Sequence, residues 1–441
     1  MRRSISLGAI ALAWLVAGCG PATPTPVVEP PPPEPAAPPP PGPVERARFQ
    51  EAMNVFMAHD RARDWNEASC TATVAALLGA GVRGSAVPAY NAALVEQRCG
   101  NLEAARSLLQ GVLDADPTFH PARAALALYV ASKPGWLDAA IEEMTKAVHD
   151  SQYTNVEALV ALATFQMRRG NQVSDDEGAD DEGRAHRNLG RALAVDDRYL
   201  PALDQLALLH LARARRAAAG SAAAGKNGKT VATQALELAA LVCAQGIRKD
   251  PRYAHIHNTA GLVQLELGDL SRAASEFGAA RRLDPRFVEA QLNFAAVNMQ
   301  FHGFGPAEEA YRAVLAVKPG DYDAQLGLAL AIRGQLGVSA DPAQVEAAEA
   351  LLAAAEKAAP DRPEAYYNHA ILVQEYGAKS DDTTRTQAEL LRAKTLYNEF
   401  LDRSARGAGF VEARERAKER LQEIDDMCRF LASAPPAPKR R

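Results

Sequence analysis

Proline stops helices, and in this chain three prolines stop them at a fixed interval. Pro251, Pro285 and Pro319 stand 34 residues apart, and similar stops fall at Pro117 and Pro360. A proline ring removes one helical hydrogen bond and clashes with the preceding turn, so it ends a helix that the surrounding residues would continue. Between Val44 and Leu431 the residues are mostly Ala, Leu, Arg and Glu, all strong helix formers, and aromatics are only 6% of the chain. A segment of 34 residues holds two helices and a turn. Such a unit cannot bury its own apolar face, so successive copies must stack on one another.

The window Ala254 to Pro285 carries Gly261, Gly268, Ala273, Phe277, Ala280 and Pro285. The next window, Val288 to Pro319, carries Ala295, Ala307, Tyr311, Val314 and Pro319. Small residues allow the two helices of a unit to approach, Gly268 opens the turn between them, and Phe277 fills the gap to the next unit. This pattern resembles the tetratricopeptide repeat. The resemblance implies an all-α fold, a right-handed superhelix (α-solenoid) of about nine helix pairs. Weaker copies run from Ala86 to Pro117 and from Pro121 to about Gln152. Others are stretched by QVSDDEGADDEG and by GSAAAGKNGK, placed as loops between the helices of a pair, where solenoids tolerate insertions. An atypical pair over 44–80 opens the array, and a charged helix from about Phe410 to Leu431 caps its end. The array is one unit, 44–431.

The first residues address a different question. Arg2 and Arg3 precede an apolar run, Ser4 to Val16, that is too short to span a bilayer. No later apolar stretch is expected to reach that length. Residues 1–18 thus read as a signal peptide, and Leu15-Val16-Ala17-Gly18-Cys19 resembles the lipobox of bacterial lipoprotein precursors. That resemblance implies cleavage before Cys19, with diacylglycerol and an N-acyl chain attached to it. Two or more chains suffice for stable anchoring. Gly20 favours the outer membrane, with the protein facing the periplasm. Residues 19–43, dense in proline, form an extended spacer that can reach about 70 Å at ~3.1 Å per residue, and 432–441 form a disordered tail. The net charge of −5 becomes more acidic once Arg2 and Arg3 are removed, which argues against nucleic acid or anionic lipid headgroups as the main partner.

Candidate sites are few. Ala223 to Thr230, AAGKNGKT, mimics a phosphate-binding loop, but the segment before it reads as helix where the motif needs a strand, so no nucleotide is expected. The acidic stretch 174–183 lacks the order of a calcium loop and reads as a solvated insertion. His255 and His257 lie two apart on a helix and face different ways, so no metal site is expected. No nucleophile or metalloprotease signature occurs, and the chain reads as a non-enzyme without cofactors beyond the lipid. Cys70 and Cys99 lie equidistant from the turn near Gly84 and Ser85, which admits a disulfide in an oxidising compartment; two packed thiols are the alternative. Cys243 and Cys428 read as packing residues.

If the array resembles other tetratricopeptide domains, its concave wall is lined by positions two, five, nine and twelve of each first helix. These include His255, Asn258, Leu262, Glu289, Leu292, Arg333, Tyr367 and Gln374. The mixed polarity suits a helix or extended segment with apolar anchors. Lipid, spacer and superhelix together imply a membrane-anchored interaction scaffold with protein partners in the cell envelope. The architecture resembles the gliding-motility lipoproteins of myxobacteria, which implies a place in that machinery. The alternatives are a pilotin or pilus-biogenesis lipoprotein for secretin assembly, an envelope ligand-binding protein, or a regulator of cell-wall enzymes. Replacing Cys19 with Ser should move the protein from the membrane to the soluble fraction while leaving its circular dichroism unchanged; a variant still fully membrane-bound would mean that something other than lipid holds it.

Overall fold

The computed structural model describes residues 42–433, except 63, 81–84, 132–134, 174–178, 338–339 and 379–381, and, inside one helix, the side chains of 220–229. The signal peptide, Cys19, nearly all of the spacer and the last residues of the tail lie outside the described residues, as does part of the acidic stretch.

Every described element is helical. The helices are α1 (Pro43–Ala62), α2 (Glu67–Gly79), α3 (Val87–Arg98), α4 (Leu102–Ala115), α5 (His120–Ala131), α6 (Leu137–Asp150), α7 (Val156–Arg169), α8 (Asp181–Val195) and α9 (Leu200–Lys249). They continue as α10 (Ala254–Glu266), α11 (Leu270–Leu283), α12 (Val288–Gln300), α13 (Phe304–Val317), α14 (Tyr322–Gln335), α15 (Pro342–Ala358), α16 (Glu364–Leu372), α17 (Thr383–Ser404) and α18 (Val411–Ser433). Each packs on the next in chain order, and the first helices α5, α7 and α9, like α12, α14 and α16, also touch one another. Among the described residues, successive second helices make no comparable contact. The first-helix layer therefore lies on the inside of the curve, and the architecture is an α-solenoid.

Local chemistry sets the ends of these helices. Side chains of Asn155, Asp180, Asp269 and Asp321 accept backbone N–H groups at helix starts, satisfying donors that a helix leaves unpaired. Within pairs, Gly100, Gly135, Gly170 and Gly268 take left-handed backbone at the turn, a conformation that costs glycine nothing. His302, one repeat after Gly268, keeps that conformation with φ 56°. Between pairs, a further device repeats. The side chain six residues after the stop proline meets that proline's carbonyl: His257 Nε2 and Pro251 O at 3.0 Å, Gln291 donating to Pro285 O at 2.9 Å, Gln325 to Pro319 O at 3.0 Å, Tyr366 to Pro360 O at 3.3 Å. It ties the start of each first helix to the end of the preceding second helix.

Two features of the Leu200–Lys249 span bear on the expectations. First, helical backbone covers it, including the segment GSAAAGKNGK expected as a loop between two helices. A straight helix of that length would set its ends ~75 Å apart. Instead Lys249 donates to Asp197 at 2.7 Å, and Leu203, Ala207 and Leu211 share a core with Ala239, Val242 and Cys243. The chain therefore reverses direction between Leu211 and Ala239, the stretch that holds the insertion, and its two helical arms supply both members of a pair. With it, the described residues form nine pairs and the capping helix α18. Second, Thr230–Lys249 is long and apolar enough to cross a membrane by length and composition, at mean hydropathy 1.3, although no later stretch was expected to be. One of its faces packs into the solenoid core through Ala235, Ala239, Val242 and Cys243.

Cys70 on α2 and Cys99 at the end of α3 are joined by a disulfide, Cα to Cα 6.2 Å. Cys243 is buried and free, with burial pushing its thiol up to about 12, and Cys428 is half-buried and free.

Small residues decide how closely the helices approach. A Cβ on Gly261 would fall under 3.0 Å from the Phe277 ring, and one on Gly327 would overlap the ring of Tyr311. Ala should gain about 1 kcal/mol over Gly by helix propensity, but overpacking typically costs about 1–3 kcal/mol. Gly327→Ala should therefore lower the melting temperature. Gly190→Ala in α8, where a Cβ meets nothing within 4 Å, should raise it, and thermal unfolding of the two variants side by side checks the sign.

A candidate binding groove on the inner helices

The inner wall is built by α10, α12, α14, α16 and the capping helix. Polar bonds run along it from one first helix to the next. Gln205 of α9 lies 3.3 Å from Thr164 of α7, Thr259 of α10 donates to Asp204 of α9 at 2.6 Å, Asn293 of α12 donates to Asn258 of α10 at 3.0 Å, and Arg333 of α14 donates to Asn368 of α16 at 3.2 Å. A buried polar group is costly unless paired, so these bonds set the spacing of the wall.

The predicted lining residues divide by environment. His255 and Glu289 are exposed; the His255 ring lies against Phe287 with centroids 4.5 Å apart. Leu262 and Leu292 are half-buried against the core. Asn258 is 8% exposed and engaged by Asn293. Gln374 accepts from Tyr397 at 2.8 Å and from Arg420 at 3.2 Å. Tyr367 packs on Phe400, centroids 4.8 Å apart.

Arg333, Tyr367 and Ile371 converge on one cavity of about 590 Å³, closed on its far side by Arg416, Glu419, Arg420 and Glu423 of α18. Those α18 residues recur at i, i+3, i+4 and i+7, one face of a helix. The expectation assigned α18 a capping role alone. Its buried side does cap, through Ala417 and Ile424 packed with Tyr397 and Phe400, while its charged stripe extends the groove. A π-helical turn, Val373–Gly377, ends α16 and presents Gln374 and Glu375 together to Arg420, the latter at 3.0 Å. Burial lowers the Arg333 guanidinium from its ordinary value, and Asn368 is its hydrogen-bond partner. Three guanidiniums, two carboxylates and an aromatic floor give the cavity both signs of charge beside an apolar surface. Among the described residues, no three His, Cys, Asp or Glu side chains lie close enough to hold a metal ion.

The acidic stretch contains a structural element that the expectation of a solvated insertion missed. Asp181, with its side chain fully buried, accepts from Arg169 at 2.6 and 2.7 Å, from Arg184 at 2.7 Å and from the Asn171 N–H at 2.8 Å. Arg169 lies 12 residues before it and reaches it across the intervening loop.

No family model matches the chain, and no curated protein matches it. The solved structures to which it is similar include tetratricopeptide repeat proteins. One, from Thermus thermophilus, is 23% identical and covers 48% of this chain and 99% of its own, with a TM-score of 0.40. A second, from Parabacteroides merdae, is 16% identical over 69% of this chain and 98% of its own, TM-score 0.36. YrrB, described as having an unusual peptide-binding site, is 16% identical over 51% of this chain and 96% of its own, TM-score 0.33.

Burial pushes the Asp181 carboxyl up, but the bonds from Arg169, Arg184 and Asn171 outweigh it and pull the group down to about 2. A carboxylate depressed on folding adds stability above its unfolded value near 3.8 and loses it as pH falls toward 2. Melting temperature measured between pH 5 and about 2.5 should fall more steeply for the parent than for Asp181→Asn, and that variant should be less stable at neutral pH.

Proposed function

We propose that this chain is a membrane-anchored periplasmic lipoprotein whose inner groove holds polypeptide segments of envelope proteins, making it a scaffold in a multiprotein complex. The observation that carries this reading is the inner wall itself. First helices pack side by side, bonded from α7 through α12 and again from α14 to α16, with exposed His255 and Glu289 and a charged cavity where the wall meets α18. A surface built from many repeats suits an extended ligand better than a small molecule.

The anchoring half of the proposal comes from the N-terminal sequence, where the basic start, the apolar run and the lipobox-like Leu15 to Cys19 coincide. The Cys70–Cys99 disulfide accords with an oxidising compartment. The outer membrane is the proposed location. Gliding-motility machinery is the proposed complex, on the architectural resemblance of lipidated cysteine, proline-rich spacer and helix-pair array. The groove assembles no nucleophile-and-base pair among the described residues, so a binding role is proposed over catalysis.

Photocrosslinking in living cells from positions beside His255 and Glu289 should capture named envelope proteins. Glu289→Lys, an exposed change that leaves folding intact, should reduce capture severalfold. Recovery of no envelope protein, or capture indifferent to groove substitutions, would reject the scaffold.

A further inference from the structure

A second concentration of charge lies away from the groove, between the second helices α6 and α8. Along α8, Arg184, Arg187, Asn188 and Arg191 recur at i, i+3, i+4 and i+7 and so share a face. With Arg169 of α7 and His149 of α6 they line a cleft of about 250 Å³. Its floor is polar and buried: Asn188 donates to Gln166 at 3.1 Å, and both are almost fully enclosed.

Among the described residues, several carboxylates near this cleft are engaged by other partners. Asp181 is held by Arg169 and Arg184, and Asp138 by Arg169 at 2.8 Å. Glu182 pairs with Arg216, and Asp150 lies 3.1 Å from Arg123. Arg191 has no carboxylate partner among the described residues. Its guanidinium sits 4.4 Å from the centroid of the Tyr153 ring and 3.4 Å from the Asn188 oxygen.

The platform under Arg191 is held in an uncommon way. Gln152 and Tyr153, both with side chains, take left-handed backbone in succession, φ 50° and 61°. Residues other than glycine rarely adopt it, and the surrounding structure must impose it. The result sets the phenol ring beneath the guanidinium, with the His149 ring edge-on to it at 6.4 Å.

We infer that this cleft is a binding site for a phosphate-type anion, with Arg191 as the donor and Tyr153 orienting it. A planar guanidinium matches two phosphate oxygens at once, and stacking on an aromatic ring leaves its N–H edge free to do so. The anion can be a soluble phosphate or the headgroup of a lipid. The inference stands independently of the groove.

The test uses the full chain carrying Cys19→Ser, so that no acyl chain contributes. At constant ionic strength, inorganic phosphate should give a calorimetric isotherm and raise the melting temperature. Arg191→Gln and Tyr153→Leu should each weaken binding tenfold or more with unchanged circular dichroism, and Arg191→Lys should retain part of it. In parallel, the protein is floated with phosphatidylcholine vesicles with and without phosphatidylglycerol. Flotation with the anionic vesicles alone, lost in Arg191→Gln, supports the inference with a headgroup as the anion; phosphate binding without flotation supports it with a soluble anion. Binding of neither probe, or binding unchanged by Arg191→Gln, overturns the site.

Discussion

An aromatic ring pressed on bare backbone is the contact from which the rest of the solenoid follows. Phe277 lies where a side chain on Gly261 would stand, and Tyr311 where one on Gly327 would stand. Phe277 also shares its cluster with Val297 and Phe294 of the next first helix. One side chain thereby fixes the distance within a pair and the distance to the following pair. Because cores are close-packed, an error of a methyl group at such a point propagates to the whole stack. The bonds from His257, Gln291 and Gln325 to proline carbonyls then fix direction. Together they set the curve whose inside is the groove.

The parts of this arrangement that repeat were legible in the sequence. Pro251, Pro285 and Pro319, the turn glycine Gly268 and the ring at Phe277 each act within a few residues or one repeat, so their spacing carries their meaning. His257, Gln291 and Gln325 repeat at the same 34-residue interval, and six residues from a proline was a signal available but not read. Other features depend on residues distant in the chain. Nothing local to Asp181 shows that Arg169 will reach it across a loop. The stripe on α18 could be read as charged, but its position opposite Arg333 and Tyr367 follows from the stacking of all the intervening helices.

Charge is distributed with a consistent logic over the two faces. On the inner wall, polar side chains spend their hydrogen bonds on one another, as in Asn258 with Asn293, and leave the exposed ends of His255 and Glu289 for contact. Between α6, α7 and α8, Asp181 accepts hydrogen bonds from two arginines, one on α7 and one on α8, while Arg191 rests on an aromatic ring. The same residue type thus serves as a structural tie at one position and as a presented cation a few residues away. What separates the two is the presence or absence of a carboxylate within reach.

The disulfide between Cys70 and Cys99 has a mechanical consequence. In a stack where each pair contacts only its neighbours, tension on the N-terminal segment loads the first pair before any other, and unravelling would proceed inward helix by helix. A covalent link between α2 and α3 diverts that tension. Force arriving at Cys70 passes directly to Cys99, and the 29-residue span between them is spared extension. Although α1 lies outside the link, the stretch from Cys70 to Cys99 is thereby a strain-bearing fitting that shields the rest of α2 and α3 from extension.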